Sequence, residues 1–133
     1  MAAHYESKHG LVSKSPAELY MGFVDMRNFT GKLPDEYKAT LEADYDTLTA
    51  TVQGFKIGVK VTDRQPYSLI RLEDNDAPFH FDVTIHFDAA EDPSRTDFSM
   101  EVNADLNLMM KTMLGGRIKE GLDKAVDFMV EKL

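Results

Sequence analysis

Phe79-His80-Phe81-Asp82-Val83-Thr84-Ile85-His86-Phe87-Asp88 is the stretch on which the fold turns. Every second residue is large and apolar, and each residue between is polar. Successive side chains of a strand point to opposite faces, so this run predicts a strand with one dry face and one wet face. Strands of that kind belong to antiparallel sheets, because parallel strands are buried on both sides and read as continuous apolar runs.

The same period extends in both directions. Leu48, Ala50 and Val52 alternate with Thr47, Thr49 and Thr51, and Phe55, Ile57, Val59 and Val61 alternate with Lys56, Gly58, Lys60 and Thr62. Phe98, Met100, Val102 and Ala104 close the series, and Leu41-Glu42-Ala43 reads as a weak strand. Gln53-Gly54, Gln65-Pro66, Asp74-Asn75-Asp76-Ala77-Pro78 and Glu91-Asp92-Pro93-Ser94 separate the strands. Each is a turn supplied by a Gly, a Pro or a side chain that caps the backbone. Connections this short exclude parallel crossovers and predict a meander.

Outside the meander the period becomes helical. Leu106, Met110, Met113, Leu114, Ile118, Leu122, Ala125, Met129 and Leu133 draw one stripe along residues 106–133, a helix about 40 Å long. Glu120 and Lys124 add an i,i+4 pair to its outer side. Residues 3–13 read as a strand. Ser15-Pro16-Ala17-Glu18 then marks a helix start, with Ser15 as the cap, Pro16 at the first position and Glu18 reaching back. Residues 25–30 predict a second short helix, ended by Gly31 and Pro34. The expected fold class is α+β, one domain over 1–133. A curved antiparallel sheet wraps around the long C-terminal helix, and two short helices follow the first strand.

The chain has 133 residues, enough for one core, with 43% hydrophobic and 29% charged residues. A net charge of −8 and 15 scattered basic residues argue against a nucleic-acid partner and against anionic membrane surfaces. No apolar run approaches the roughly 18 residues of a membrane span, so no integral membrane association is expected. The absence of cysteine removes disulfides and thiolate chemistry. With no signal-peptide pattern at the start, the expected location is cytoplasmic.

In this order the elements resemble the helix-grip superfamily, called START-like, Bet v 1-like or SRPBCC, and its polyketide cyclase/dehydrase and lipid-transport branch. The resemblance covers nearly the whole chain. It rests on Tyr5-Glu6-Ser7, Ser15-Pro16-Ala17-Glu18-Leu19-Tyr20, Asp25-Met26-Arg27-Asn28-Phe29, Lys56-Ile57-Gly58-Val59-Lys60-Val61 and Gly121-Leu122-Asp123-Lys124-Ala125-Val126. It implies an apolar cavity between sheet and long helix, used in relatives for lipids, hormones or polyketides and in a minority for catalysis. Many relatives carry a Trp after the second short helix. This chain has none.

Candidate site residues follow from both readings. Met109, Met110 and Met113 precede Gly115-Gly116 on the long helix, and methionine suits a surface that adapts to its ligand. Glycines inside a helix cost roughly 1 kcal/mol each against alanine, so Gly116 is expected either to leave room for a ligand or to allow close packing. His9 lies on the side of Tyr5, Ser7 and Leu11 if its strand alternates regularly. That makes it either a polar anchor in the cavity or a partly exposed strand histidine, and a bulge near Gly10 would turn it outward. Phe23 and Phe29, with Tyr20 and Leu33, line the closed end as core or as cavity wall. Ile57, Val59, Phe81 and Val83 supply the sheet's wall.

Arg71 is expected outward, among Glu73, Asp74 and Asp76. His80, Asp82 and His86 share one strand, with the histidines about 20 Å apart on its wet face, so no metal is expected there. Catalytic signatures such as Gly-x-Ser-x-Gly or His-Glu-x-x-His are missing from the sequence. The leading expectation is a binder of a small hydrophobic ligand, apolar or amphipathic (lipid, polyketide or isoprenoid-like), with no cofactor; a homo-oligomer is left open. The alternatives are a cyclase or isomerase using the same cavity through His9 or a tyrosine, and a protein-interaction module with a filled core.

Overall fold

The computed structural model describes residues 2–28, 41–52, 55–75, 77 and 79–132. The strands are β1 (Ala2–Glu6), β2 (Gly10–Val12), β3 (Leu41–Ala43), β4 (Thr47–Val52), β5 (Phe55–Gln65), β6 (Leu69–Asp74), β7 (Phe81–Ala89) and β8 (Thr96–Asp105). The helices are α1 (Pro16–Phe23) and α2 (Leu108–Lys132). All eight strands form one curved antiparallel sheet in the order β1-β8-β7-β6-β5-β4-β3, and β2 also pairs with β8. Strands β3 to β8 are the expected meander. The N-terminal strands return beside the last one.

Local chemistry sets the helix ends. Ser15 Oγ accepts from the Glu18 amide at 3.3 Å, the N-cap read from the sequence, while the Glu18 carboxylate reaches back to the Ser15 hydroxyl at 3.2 Å instead of to its amide. The α2 start has a cap that the sequence reading did not assign: Asn107 Oδ1 accepts from the Met110 amide at 2.8 Å. Of the expected second short helix, Asp25 to Arg27 form a turn, Asn28 is helical, and the remainder, with Phe29 and Leu33, lies outside the described residues.

The core has two parts. One joins α1 to the sheet through Leu19, Tyr20, Phe23, Met26, Ile70, Leu72, Ile85, Phe87 and Phe98, and takes Val126 from α2. Phe23 lies 5.3 Å from Phe87 and 5.8 Å from Phe98 between ring centres, distances at which tilted aromatic pairs attract. The second part gathers Ala3, Val102, Ala104, Leu106 and Leu122 beneath α2. Val83 and Met100 pack against both.

Two interruptions of the meander reorient side chains. The turn Gln65-Pro66-Tyr67-Ser68 closes with Ser68 N to Gln65 O at 3.0 Å, and Tyr67 takes a φ of 62°. Pro at the second place and a positive φ at the third make this a type II turn, where Gly or Asn is usual. Tyr67 holds that conformation with its ring edge-on to Tyr20, 5.5 Å away. Between Val61 and Asp63 the β5–β6 register slips, so Arg64 pairs with Ile70 on the buried face instead of following Thr62 outward.

Arg64 then reaches across the molecule. Its guanidinium donates to Val24 O at 3.1 and 2.9 Å and to Tyr45 O at 3.2 Å, pairs with Asp46 at 2.7 Å, and sits 4.5 Å over the Tyr45 ring. A cation at the C-terminal carbonyls of α1 also meets the negative end of the helix dipole. One side chain therefore fixes α1, the β3–β4 turn and β5 together.

Arg64→Ala is expected to lower the unfolding free energy by about 2 to 3 kcal/mol, since it strands two carbonyls that accept charge-assisted hydrogen bonds. Arg64→Lys recovers only part of that, because an ammonium cannot fork between them. Urea unfolding of both variants measures it. Gly58→Ala is expected to be destabilising as well, since a Cβ there would sit 2.1 Å from Asn75 O. Gly121→Ala meets nothing within 4 Å and gains about 1 kcal/mol of helix propensity.

Candidate functional site

The concave face of the sheet is built from the alternating residues expected of it. Phe81, Val83, Ile85 and Phe87 of β7 face inward, as do Phe98, Met100, Val102 and Ala104 of β8. Burial is uneven along this face. Ile85, Phe87, Phe98, Val102 and Ala104 are buried, whereas Ile57, Val59, Phe81, Val83 and Met100 are only part-buried. Val83 stands in the middle of the sheet, between Leu72 and Val102, and still keeps solvent contact. Helix α2 explains the pattern, for its close packing is on β1, β2 and β8.

Tyr5 enters this region from β1, opposite Val102. Its ring lies under α2 at Gly115, where an added Cβ would be 2.8 Å from the hydroxyl. The hydroxyl is buried and has no hydrogen-bond partner among the described residues. Its surroundings are apolar: Ala3, Phe81, Val83, Met100, Met110 and Ile118 belong to the same cluster. Burying such a group unpaired costs about 1 to 3 kcal/mol.

Several expected site residues lie elsewhere. Met109 and Met113 are 71% and 64% exposed, and Gly116 is exposed with open space where its Cβ would be. They were expected to face the sheet and do not. The buried face of α2 is centred on Gly115, Ile118, Leu122, Val126 and Met129. At about 100° per residue, Met113 falls on the opposite side, Met109 close to it and Gly116 on the outer flank. Close packing at this point is the work of Gly115. Phe23 is core, edge-on to Phe87 and tilted against Phe98. Phe29 lies outside the described residues.

His9 points outward too, for a countable reason. The β1–β8 ladder ends at Glu6 opposite Glu101 and the β2–β8 ladder begins at Gly10 opposite Phe98. Three residues, Ser7, Lys8 and His9, therefore oppose two, Ser99 and Met100. The extra residue is a β-bulge, and it inverts the parity of everything on one side relative to the other. Tyr5 faces in, Gly10 and Val12 face in, and His9 is left on the outer surface with Nδ1 2.8 Å from Asp97. Ser7 repairs the ladder: its amide donates to Met100 O at 2.8 Å, and its Oγ accepts from Met100 N at 2.9 Å. Helix α2 clamps the bulge. Lys8 N donates to Asp123 at 2.7 Å, Lys119 Nζ donates to Glu6 O at 2.7 Å and to Asp123 at 3.1 Å, and Lys8 pairs with Asp127.

The polar residues of the sheet's outer face are in contact. Arg71 is outward, as expected, and meets Asp82 at 3.2 Å and Glu73 at 3.7 Å. His80 pairs with Asp74 and His86 with Glu101, so His80, Asp82 and His86 do not converge. An open groove of about 210 Å³ runs beside the bulge, lined by Glu6, Ser7, His9, His86, Asp88, Ser99, Met100 and Glu101. His4, Glu6 and Glu101 come together next to it. His4-x-Glu6 on one strand face was a visible signal, but its partner stands 95 residues along in another strand. Among the described residues, no helix is long and apolar enough to cross a membrane.

No protein-family model matches the chain, and no curated protein matches it. Solved structures do. Norcoclaurine synthase from Thalictrum flavum, in complex with dopamine and hydroxybenzaldehyde, superimposes with a TM-score of 0.70 at 16% identity, covering 98% of this chain and 84% of that one. A START superfamily protein from Mycobacterium smegmatis gives 0.64 at 14% identity, covering 98% and 97%. A protein from Rhizobium loti gives 0.68 at 13% identity, covering 100% and 98%. The chain has the START-like, Bet v 1-like helix-grip fold.

The clamp has a pH signature. Hydrogen bonds from the Lys8 amide and from Lys119 hold the Asp123 carboxyl below the ordinary aspartate value of 3.8. A lowered folded pKa stabilises the fold above the unfolded value, and that stability is lost as pH falls through the folded one. Asp123→Asn is expected to leave a shallower acid limb in a plot of unfolding free energy against pH below about 4. Ser7→Ala removes the acceptor for a buried amide and is expected to cost about 1 to 3 kcal/mol at every pH, measured by chemical denaturation.

Proposed function

We propose that the chain binds a small amphipathic molecule between the concave sheet face and α2, its apolar body against Ile57, Val59, Phe81 and Val83 and its one polar group at the Tyr5 hydroxyl. The observation that carries this is the buried, unpartnered hydroxyl amid part-buried apolar side chains. A packed interior pairs its polar groups or excludes them, whereas ligand sites are apolar hollows with a few placed polar atoms. A ligand hydroxyl or carbonyl would pair this one and cover the apolar surface that α2 leaves part-exposed. Fold likeness to ligand-binding proteins supports the class of activity. Lipids, polyketides and isoprenoid-like molecules all have the required chemistry.

A cyclase or isomerase is the second reading, favoured by the likeness of fold to norcoclaurine synthase. Such chemistry needs a proton-moving group beside the substrate. His9 is turned away from this space, which leaves Tyr5 as the group to examine.

Native mass spectrometry of protein purified from its own host is expected to show a co-purified small molecule, and a fatty-acid and polyketide panel to show binding. In Tyr5→Phe, ligands with a polar head should bind about 5- to 30-fold more weakly, the worth of one buried hydrogen bond, and pure hydrocarbons equally well. The empty Tyr5→Phe protein should be no less stable than the parent, because it loses an unsatisfied polar atom. Absence of any ligand, together with a panel that does not bind, favours the filled-core interaction module instead. Turnover of a bound ligand that vanishes in Tyr5→Phe favours the enzyme.

A further inference from the structure

The outer face of the sheet, on the opposite side from the proposed ligand space, carries a cluster whose hydrogen bonds are complete when its imidazole is charged and lack a hydrogen when it is neutral. His4 and Glu6 stand two residues apart on β1, and Glu101 lies directly across from Glu6 on β8. His4 Nε2 is 3.1 Å from Glu6 Oε1 and 3.7 Å from Glu101 Oε2. On the other side of the ring, Nδ1 is 2.6 Å from Asn103 Oδ1. The Asn103 amide nitrogen is committed to Asp82 Oδ1 at 3.1 Å, so Asn103 presents its oxygen to the imidazole. Nδ1 must therefore carry a hydrogen. In the neutral ring the Nε2 lone pair then faces two carboxylates, and three electron donors converge with no hydrogen among them.

We propose that His4, Glu6 and Glu101 bind a divalent transition-metal ion of the zinc type. One imidazole and two carboxylates form a nitrogen–oxygen donor set that such ions accept, and the three ligand atoms lie within 4.8 Å of one another. The surroundings have the form of an outer shell. A metal-bound histidine usually donates its other N–H to an oxygen, which fixes its tautomer, and Asn103 accepts that bond with Asp82 behind it. Glu101 Oε1 is held 3.3 Å from His86 Nε2, which leaves Oε2 turned toward His4. Glu6 and Glu101 also line the open groove, so solvent or a small anionic ligand has access to the remaining coordination positions. The set departs from the sequence expectation of no metal, which concerned the residues of a single strand.

Protons compete for the same lone pair. Hydrogen bonds to Asn103 and Glu6 raise the His4 pKa above its ordinary value of 6.5. The groups facing this ring from its own and neighbouring strands are Glu6, Glu101 and Asn103, with Asp82, His86 and Arg71 beyond them. Metal uptake should accordingly strengthen as pH rises through the histidine range.

The test uses the full chain without a histidine tag, stripped with a chelator and titrated with zinc chloride calorimetrically at pH 6 and pH 8. Expected are one equivalent bound, tighter at pH 8, and a cobalt-loaded form with visible absorption of four- or five-coordinate Co²⁺. His4→Gln and Glu101→Gln should each weaken zinc binding at least tenfold, and Asn103→Ala about tenfold through the lost outer shell. Circular dichroism and melting of the metal-free variants confirm that they fold, and exposure of His4 and Glu6 makes their substitution mild. Failure to bind a stoichiometric equivalent, or binding unchanged in both His4→Gln and Glu101→Gln, overturns the proposal. A His4 ring that remains doubly protonated by NMR at pH 8 with zinc in excess overturns it equally.

Discussion

One surplus residue governs how this sheet meets its helix. Ser7, Lys8 and His9 occupy the space of two residues opposite β8, and the surplus divides the N-terminal segment into two strands of opposite parity. Tyr5 and Val12 can then both point into the core despite being an odd number of residues apart, and Gly10 can pass beneath α2. An added Cβ at Gly10 would lie 2.6 Å from side-chain atoms of Val126 and Val130, so the helix rests on bare backbone there. The backbone groups left over at the kink are taken by Lys119 and Asp123 of α2. Sheet distortion and helix docking are one interaction, and the course of α2 over β1, β2 and β8 follows from it.

That course also determines how much of the apolar sheet is covered. A helix placed over β1, β2 and β8 seals Phe98, Val102 and Ala104 but leaves Val59, Val83 and Met100 part-exposed. The proposed ligand space is thus a product of where the helix docks more than of any special composition in the strands. On the far face the same strand pairing brings β1, β8 and β7 side by side, which puts histidines, carboxylates and Asn103 within bonding distance.

Most of the architecture was legible in the residues. Alternation in the run from Phe79 to Asp88 gave a strand whose inner and outer faces fall where expected, and Ser15-Pro16-Ala17-Glu18 gave a cap that forms. The site was less legible because each of its determinants is non-local. A one-residue bulge leaves the alternation on either side intact, so Gly10 marked where a bulge was possible but the pattern around His9 did not decide the parity. Met113 belongs to the apolar stripe by spacing and Met109 adjoins it in sequence, but the width of the stripe that is actually covered depends on which strands lie beneath it. Arg64 lies beyond the alternation read from the sequence, and the slip after Val61 turns it toward Val24 and Tyr45. Glu101 meets His4 through a register that neither segment encodes alone.

The division of the core has a consequence for motion. Among the described residues, the aromatic cluster beneath α1 and the smaller cluster beneath the middle of α2 share only Val83 and Met100 of the side chains that pack on them. Loss of the smaller one would release β1 and the first half of the long helix while Phe23, Phe87 and Phe98 stay packed together. Sub-global opening of that kind lies below complete unfolding in free energy. Amide hydrogens in β1 and early α2 should then exchange ahead of those in β6 and β7, and breathing of this half of the molecule would give the proposed ligand a way in without melting the rest.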